Sequence, residues 1–147
     1  LIVIEKDVVL SEYERGGISL DSNISSELLM NIFEHNTPLH DGAVLIRGNR
    51  IVSATCYLPL SDNLYLSKEL GTRHRAAVGI SEVSDSLTII VSEETGKVSI
   101  AVGGKIIRNI NADSLRKRLK NLQNITDDNK KIKSLKGWHR NETKNNA

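Results

Sequence analysis

One cysteine, two prolines, one Phe, one Trp and three Tyr in 147 residues leave this chain short of several devices that hold folds or ligands. Cys56 has no partner for an internal disulfide, which excludes a disulfide-stapled scaffold; in its apolar run it reads as a packed thiol in a reducing compartment. With 39% apolar residues and so few prolines, the composition fits one globular domain that buries a single core. No apolar run approaches the length of a membrane span and nothing resembles a signal peptide, so the chain as it stands is expected to be soluble. Aromatic platforms for stacking single-stranded nucleic acid are nearly missing, since Trp138 is the only aromatic residue after residue 112.

What is present is unevenly spread. The formal net charge of +2 hides a mildly acidic body, residues 1–112, with 10 Lys/Arg against 14 Asp/Glu, and a basic tail, residues 113–147, with 10 against 4. In the tail, Leu115, Leu119 and Leu122 form one face of a short helix capped by Asn111 or Asp113, and the Lys/Asn-rich sequence beyond Asn124 is expected to be loosely ordered. Such a tail either stays solvated or is drawn to anionic lipid or to a phosphate backbone. The abrupt opening on Leu-Ile-Val-Ile, with no polar lead-in, suggests a fragment cut close to a buried strand.

Strand and helix patterns mix along the body. Residues 1–4 read as a buried strand, and residues 24–35 as a helix with Ile24, Leu28 and Ile32 on one face and Asp21, Ser22 or Asn23 as its cap. The stretch "NTPLHDG" breaks that helix. Residues 43–47 and 51–58 around Gly48-Asn49 read as a hairpin, and residues 87–92 and 98–102 around Thr95-Gly96 as a second. "VGGKI", residues 102–106, reads as a hairpin turn and not as a phosphate loop, because the G-x-x-x-x-G-K-[ST] pattern is absent. The order predicts a twisted mixed β-sheet surrounded by helices, in the α/β or α+β class.

Three constellations carry chemistry. In "LGTRHRAAVG", residues 70–79, Thr72 is placed to cap a helix, and Arg73, His74 and Arg75 crowd positive charge onto a helix end that is already positive. An anion bound there explains the crowding, and Arg forks match phosphate oxygens; pairing of both arginines with surface carboxylates such as Glu69 or Glu82 is the structural alternative. In "LHDGAV", His40 and Asp41 end a loop before a strand, where an Asp holds a divalent metal, takes a proton from a hydroxyl, or merely closes an Asx-turn. Gly42 permits close backbone approach by a ligand. In "SEETG", Glu93 and Glu94 end a buried strand, where ligands gather in sheets of this class; a solvated turn is the alternative. Tyr57 offers a flat face to a base, or is half-buried core.

Taken together, "DGA" at residues 41–43, "GTRHR" at 71–75 and "SEET" at 92–95 resemble the diadenylate cyclase domain, of the membrane-tethered CdaA type. The resemblance runs to about Arg108 and includes "ISSELLMNIF", "NTPLHDGAV", "CYLPLS" and "ELGTRHRAAVGISEVSD". It implies that two ATP molecules condense to cyclic di-AMP and two pyrophosphates, with Mg²⁺ or Mn²⁺, across two domains that meet face to face as a homodimer. It implies catalytic roles for Asp41, Gly42, Arg73 and Arg75, with Asp41 activating the 3′-hydroxyl and, with His40, holding metal. Nucleotide contacts are implied for Gly42, Ala43, Gly71, Thr72, Arg73, His74, Arg75, Ser92, Glu93 and Glu94, with Tyr57 stacking on adenine and the Leu58 backbone reading its edge. It further implies transmembrane helices ahead of the domain, attachment at the cytoplasmic membrane face, and a membrane-bound regulator and a phosphoglucosamine mutase as partners. A nucleotide-binding sensor without catalysis is the rival function. Nucleic acid is not an expected partner.

Overall fold

The computed structural model describes the backbone of residues 1–142, and the side chains except at 125–127, 129, 130 and 134–142. It divides into two compact units, Leu1–Asn109 and Ile110–Ala147. The first holds a seven-stranded mixed sheet in the order β2-β4-β3-β1-β5-β6-β7. Its strands are β1 (Ile2–Ile4), β2 (Ile18–Asn23), β3 (Ala43–Arg47), β4 (Arg50–Cys56), β5 (Leu87–Val91), β6 (Val98–Val102) and β7 (Lys105–Ile107). β1 runs parallel to β3, and every other pairing is antiparallel. Three helices cover this sheet: α1 (Ser11–Arg15), α2 (Ser26–Ile32) and α3 (Thr72–Val83). The mixed sheet with flanking helices is the architecture expected from the sequence.

Alternation along the central strands sorts the core into two faces. Val3, Ala43, Leu45, Val52 and Cys56 pack with Leu10 and with Ile80 of α3. Val44, Ile46, Ile51 and Ala54 turn to the other face and meet Ile32, with Leu28 and Leu29 of α2 beside them. Farther along the sheet, Ala77 and Val78 of α3 cover Ile90 and Ala101. Cys56 is buried and reduced, and burial pushes its thiol pKa up, as suits a packing role.

Both expected hairpins form, with Gly48 (φ 60°) turning β3 into β4 and Gly96 (φ 67°) lying between β5 and β6. The Gly103-Gly104 turn, both residues at positive φ, joins β6 to β7. The first helix expected from the pattern is shorter than residues 24–35. Its cap is Ser25, whose Oγ accepts from the Leu28 amide at 3.1 Å, while Asp21, Ser22 and Asn23 belong to β2. α1 and β2 have no counterpart in the sequence reading. α1 is a five-residue turn without a side-chain cap, and β2 is an edge strand with no residue fully buried, so neither carries the apolar periodicity that marks an element.

In the second unit, helix α4 (Ala112–Glu142) is longer than the short helix expected and continues well past Asn124. Asn111 caps it, its side-chain oxygen accepting from the Ser114 amide at 2.8 Å. The loosely ordered tail expected beyond Asn124 is helical as far as Glu142, and its last five residues, 143–147, lie outside the described residues. Among the described residues no helix is long and apolar enough to cross a membrane.

An ion pair with a buried carboxylate ties the ends of central strands β1 and β3 to α1. The Glu5 side chain is 4% exposed and accepts from Arg47 Nε at 2.6 Å and Nη2 at 2.9 Å, and from the Leu10 amide at 2.9 Å. Arg47 also donates to Glu14 at 2.7 Å, and the two carboxylates hold its guanidinium pKa above the ordinary value. Arg47→Ala is therefore expected to destabilise the fold by about 3 kcal/mol, because it strands a buried carboxylate. Denaturant unfolding checks this, and a loss comparable to an exposed substitution would contradict it.

Candidate active site

Strand direction brings the candidate residues together. β3 starts where β4 ends, since Ala43 pairs with Cys56; β1 runs with β3 and against β5, so β5 ends at that same edge. Asp41 precedes β3, Tyr57 and Leu58 follow β4, and Ser92, Glu93 and Glu94 follow β5. The N-terminus of α3 completes the group: Arg73 Nη1 donates to Glu93 Oε2 at 2.7 Å, and its Nη2 reaches Asp41 Oδ1 at 3.5 Å. Residues from three separate stretches of sequence thus meet around one guanidinium. The pairing of the arginines with surface carboxylates weighed from sequence forms for Arg73, with Glu93 and Asp41 in place of Glu69 or Glu82, while Arg75 turns to the Ser61 carbonyl. Glu69 lies 3.9 Å from Arg108, and Glu82 accepts from Ser61 Oγ at 2.6 Å.

The start of α3 differs from expectation in one detail. Gly71 takes the N-cap position with no side-chain hydrogen bond, and Thr72 is the first helical residue, not the cap. The first intrahelical bond runs from the Arg75 amide to the Gly71 carbonyl at 3.1 Å. The amides of Thr72, Arg73 and His74 therefore have no intrahelical acceptor. A Cβ placed on Gly71 meets nothing within 4 Å, so the space ahead of the helix is open. With no acidic residue in the first turn, this end presents the helix dipole, three amides and Arg73 to the same region.

The carboxylates facing it are accessible: Asp41 is 70% exposed and Glu93 63%. Asp41 Oδ1 also accepts from the Gly42 amide at 2.9 Å. Gly42 itself is explained by packing. It sits at φ +80°, and a Cβ there lies 2.9 Å from the Thr55 carbonyl carbon and 3.1 Å from the Cys56 oxygen, so its missing side chain makes room for β4. Ala43 is buried as the first residue of β3. Tyr57 is 75% exposed, with its ring available for stacking, and Leu58 packs against the core. Ser92 Oγ accepts from the Thr95 amide at 3.3 Å, shaping the turn that carries Glu93 and the exposed Glu94.

For a metal, the protein donors are few. His40 Nδ1 lies 2.7 Å from the Thr37 carbonyl, which orients the ring, and His35 packs edge-on at 5.8 Å between centroids. Among the described residues no group of three or more His, Cys, Asp and Glu is arranged to hold an ion. Asp41, a single exposed carboxylate, fits the way Mg²⁺ binds through one carboxylate when phosphates supply the remaining oxygens, whereas the His40 ring is turned to the Thr37 carbonyl.

One arrangement was missed by the sequence reading: residues 59–61 lie flat against α3. A Cβ on Gly79 falls 2.0 Å from the Pro59 oxygen, and Ser61 is 4% exposed. A glycine inside a helical run was the only sequence signal for that close approach.

The family model "DisA bacterial checkpoint controller nucleotide-binding" matches residues 1–106, and the chain belongs to this family. It is 58% identical over 127 residues to a diadenylate cyclase of Listeria monocytogenes serotype 1/2a, covering 86% of this chain and 46% of that protein. It is 59% identical over 119 residues to the cyclic di-AMP synthase CdaA of Bacillus subtilis, covering 81% of this chain and 44% of the relative. The chain thus spans a little under half the length of these curated relatives. A crystal structure of a double mutant of DacA from Staphylococcus aureus superimposes with a TM-score of 0.80 at 55% identity, covering 82% of this chain and 80% of that one. A structure described as a hypothetical membrane spanning protein from Bacillus cereus gives 0.72 at 45% identity, covering 75% and 54%.

His74 supplies a pH dependence. Burial, and then the nearby Arg108, lower its pKa from the ordinary 6.5. The unfolded chain therefore binds more protons in this range. The stability contributed by neutral His74 is fully present above pH 6.5 and is lost as pH falls through the lower folded value. His74→Gln is expected to flatten the decline of Tm between pH 6.5 and 5; an unchanged slope would assign the dependence to other groups.

Proposed function

We propose that this chain is the catalytic part of a diadenylate cyclase, which joins two ATP molecules into cyclic di-AMP and releases two pyrophosphates. The observation that carries this reading is Arg73, held between Asp41 and Glu93 at an open helix N-terminus. The two carboxylates around half-buried Arg73 are largely exposed, so solvent screens their pairing, which a triphosphate readily replaces. The high identity to relatives named for this activity supports it as well.

In the proposed reaction the 3′-oxygen of one ATP bonds to the α-phosphorus of the other. The bond from that phosphorus to the bridging oxygen breaks, and pyrophosphate leaves with the bond electrons. Asp41 takes up the hydroxyl proton as the oxygen attacks. Arg73, Thr72 and the first amides of α3 stabilise the charge that builds on the phosphates, with Ser92 and Glu94 on the same side. Tyr57 stacks on adenine, and the Leu58 backbone reads its edge. Asp41, with His40, would hold Mg²⁺ or Mn²⁺ together with the phosphates, and the ion would supply charge neutralisation on the nucleotide and the leaving group.

Each chain holds one ATP in an exposed site, so a homodimer with two sites facing each other completes the reaction. A membrane anchor in the whole protein, placement at the cytoplasmic membrane face, and a membrane-bound regulator and phosphoglucosamine mutase as partners are further parts of the proposal. Residues 1–112 form the catalytic part and 113–147 a basic extension.

Incubation with ATP and Mn²⁺, or Mg²⁺ in parallel, followed by chromatography with mass detection, is expected to yield cyclic di-AMP. Asp41→Asn is expected to lower turnover by about 10²-fold or more while ATP still binds. ATP binding without product, in a tethered dimer as well as the single chain, would favour the sensor instead.

A further inference from the structure

Arg75 stands beside Arg73 in sequence, yet the two guanidiniums go to different places. Arg73 faces the carboxylates at the open helix end. Arg75 is half-buried and its Nη1 donates to the Ser61 carbonyl at 3.5 Å, while its own carbonyl accepts from the Ser61 amide at 3.0 Å. Ser61 is further anchored: its Oγ donates to Glu82 Oε1 at 2.6 Å and accepts from the Asn63 amide at 3.2 Å. Gly79, one turn farther along α3, lets the Pro59 backbone lie directly on the helix.

We infer that Arg75 is a positioning residue, which fixes the segment carrying Tyr57 and Leu58 against α3 and so sets the recognition of the base relative to the grip on the phosphates. This rests on the nucleotide reading above and deepens it, since it takes Arg75 out of the phosphate contacts and gives it to specificity. Segment 57–61 has left the sheet at Cys56, so the strand ladder no longer holds it. Its register against the helix depends on the Ser61 clamp at one end and the Leu58 packing at the other. Loosening the clamp leaves the amides of Thr72, Arg73 and His74 in place, because the core residues Ala76, Ala77, Val78 and Ile80 anchor α3 independently. The base site should then slacken while the phosphate site survives.

The test uses two probes on the same chain, ATP and inorganic tripolyphosphate, with affinities from calorimetry. Arg75→Ala is expected to weaken ATP about fivefold, as loss of one ordinary hydrogen bond would, with tripolyphosphate affinity at the wild-type value. Ser61→Ala, which removes the Glu82 and Asn63 anchors away from the phosphate end, is expected to repeat this pattern. In the nucleotide-free protein, hydrogen exchange over residues 57–61 is expected to rise in both variants, with exchange in the core strands unchanged. Equal loss of ATP and tripolyphosphate affinity in Arg75→Ala, matching Arg73→Ala, would place Arg75 on the phosphates and overturn the inference. Unchanged exchange over residues 57–61 would overturn it without reference to any ligand. Wild-type protein that binds neither probe would instead overturn the nucleotide reading on which it rests.

Discussion

Because three-residue β1 pairs in parallel with β3 and antiparallel with β5, the start of β3 and the end of β5 lie at one edge of the sheet. The β3–β4 hairpin adds the end of β4 to that edge. Chain ends at a sheet edge are where backbone leaves the ladder and side chains gain freedom to meet a ligand. Here that edge receives Asp41, Tyr57 and Glu93 from three connections, and the N-terminus of α3 meets Asp41 and Glu93 through Arg73. Reversal of either pairing of β1 would send Glu93 or Asp41 to opposite ends of the molecule.

The electrostatics of the edge follow from that placement. A helix start with no acidic residue in its first turn and no side-chain cap is positive, and Arg73 makes it more so. In the nucleotide-free protein Glu93 and Asp41 balance this charge, yet both are largely exposed, so solvent screens the pairing. The arrangement contrasts with Glu5 and Arg47 at the far end of β3, where a buried carboxylate depends on its partner for the stability of the fold. Weak pairing at the site and strong pairing away from it allow an anion to enter without cost to the core.

Much of this was legible in the sequence. The apolar runs at residues 43–46 and 87–91 mark the strands, the glycine turns mark both hairpins, and the arginine-rich stretch 71–75 marks the start of α3. What was not legible has physical reasons. β2 and α1 derive their structure from neighbours, not from their own periodicity. The choice of Gly71 over Thr72 as N-cap depends on one residue of register, below what composition resolves. The division of labour between Arg73 and Arg75 is set by helical geometry and by Ser61, fourteen residues away, and identical side chains two positions apart do not announce it. At Gly42 the packing against β4 was not legible either, because Thr55 and Cys56 come from a strand thirteen residues away in sequence.

The N-terminus of α3 is the proposed seat of a triphosphate. Titration of ¹⁵N-labelled protein with ATP, followed by two-dimensional amide spectra, tests this most directly. The account predicts that the largest shifts fall on the amides of Thr72, Arg73 and His74, with the Arg73 side-chain signal moving as its pairing with Glu93 is released. Shifts confined to other elements, with those three amides unmoved at saturation, would contradict it.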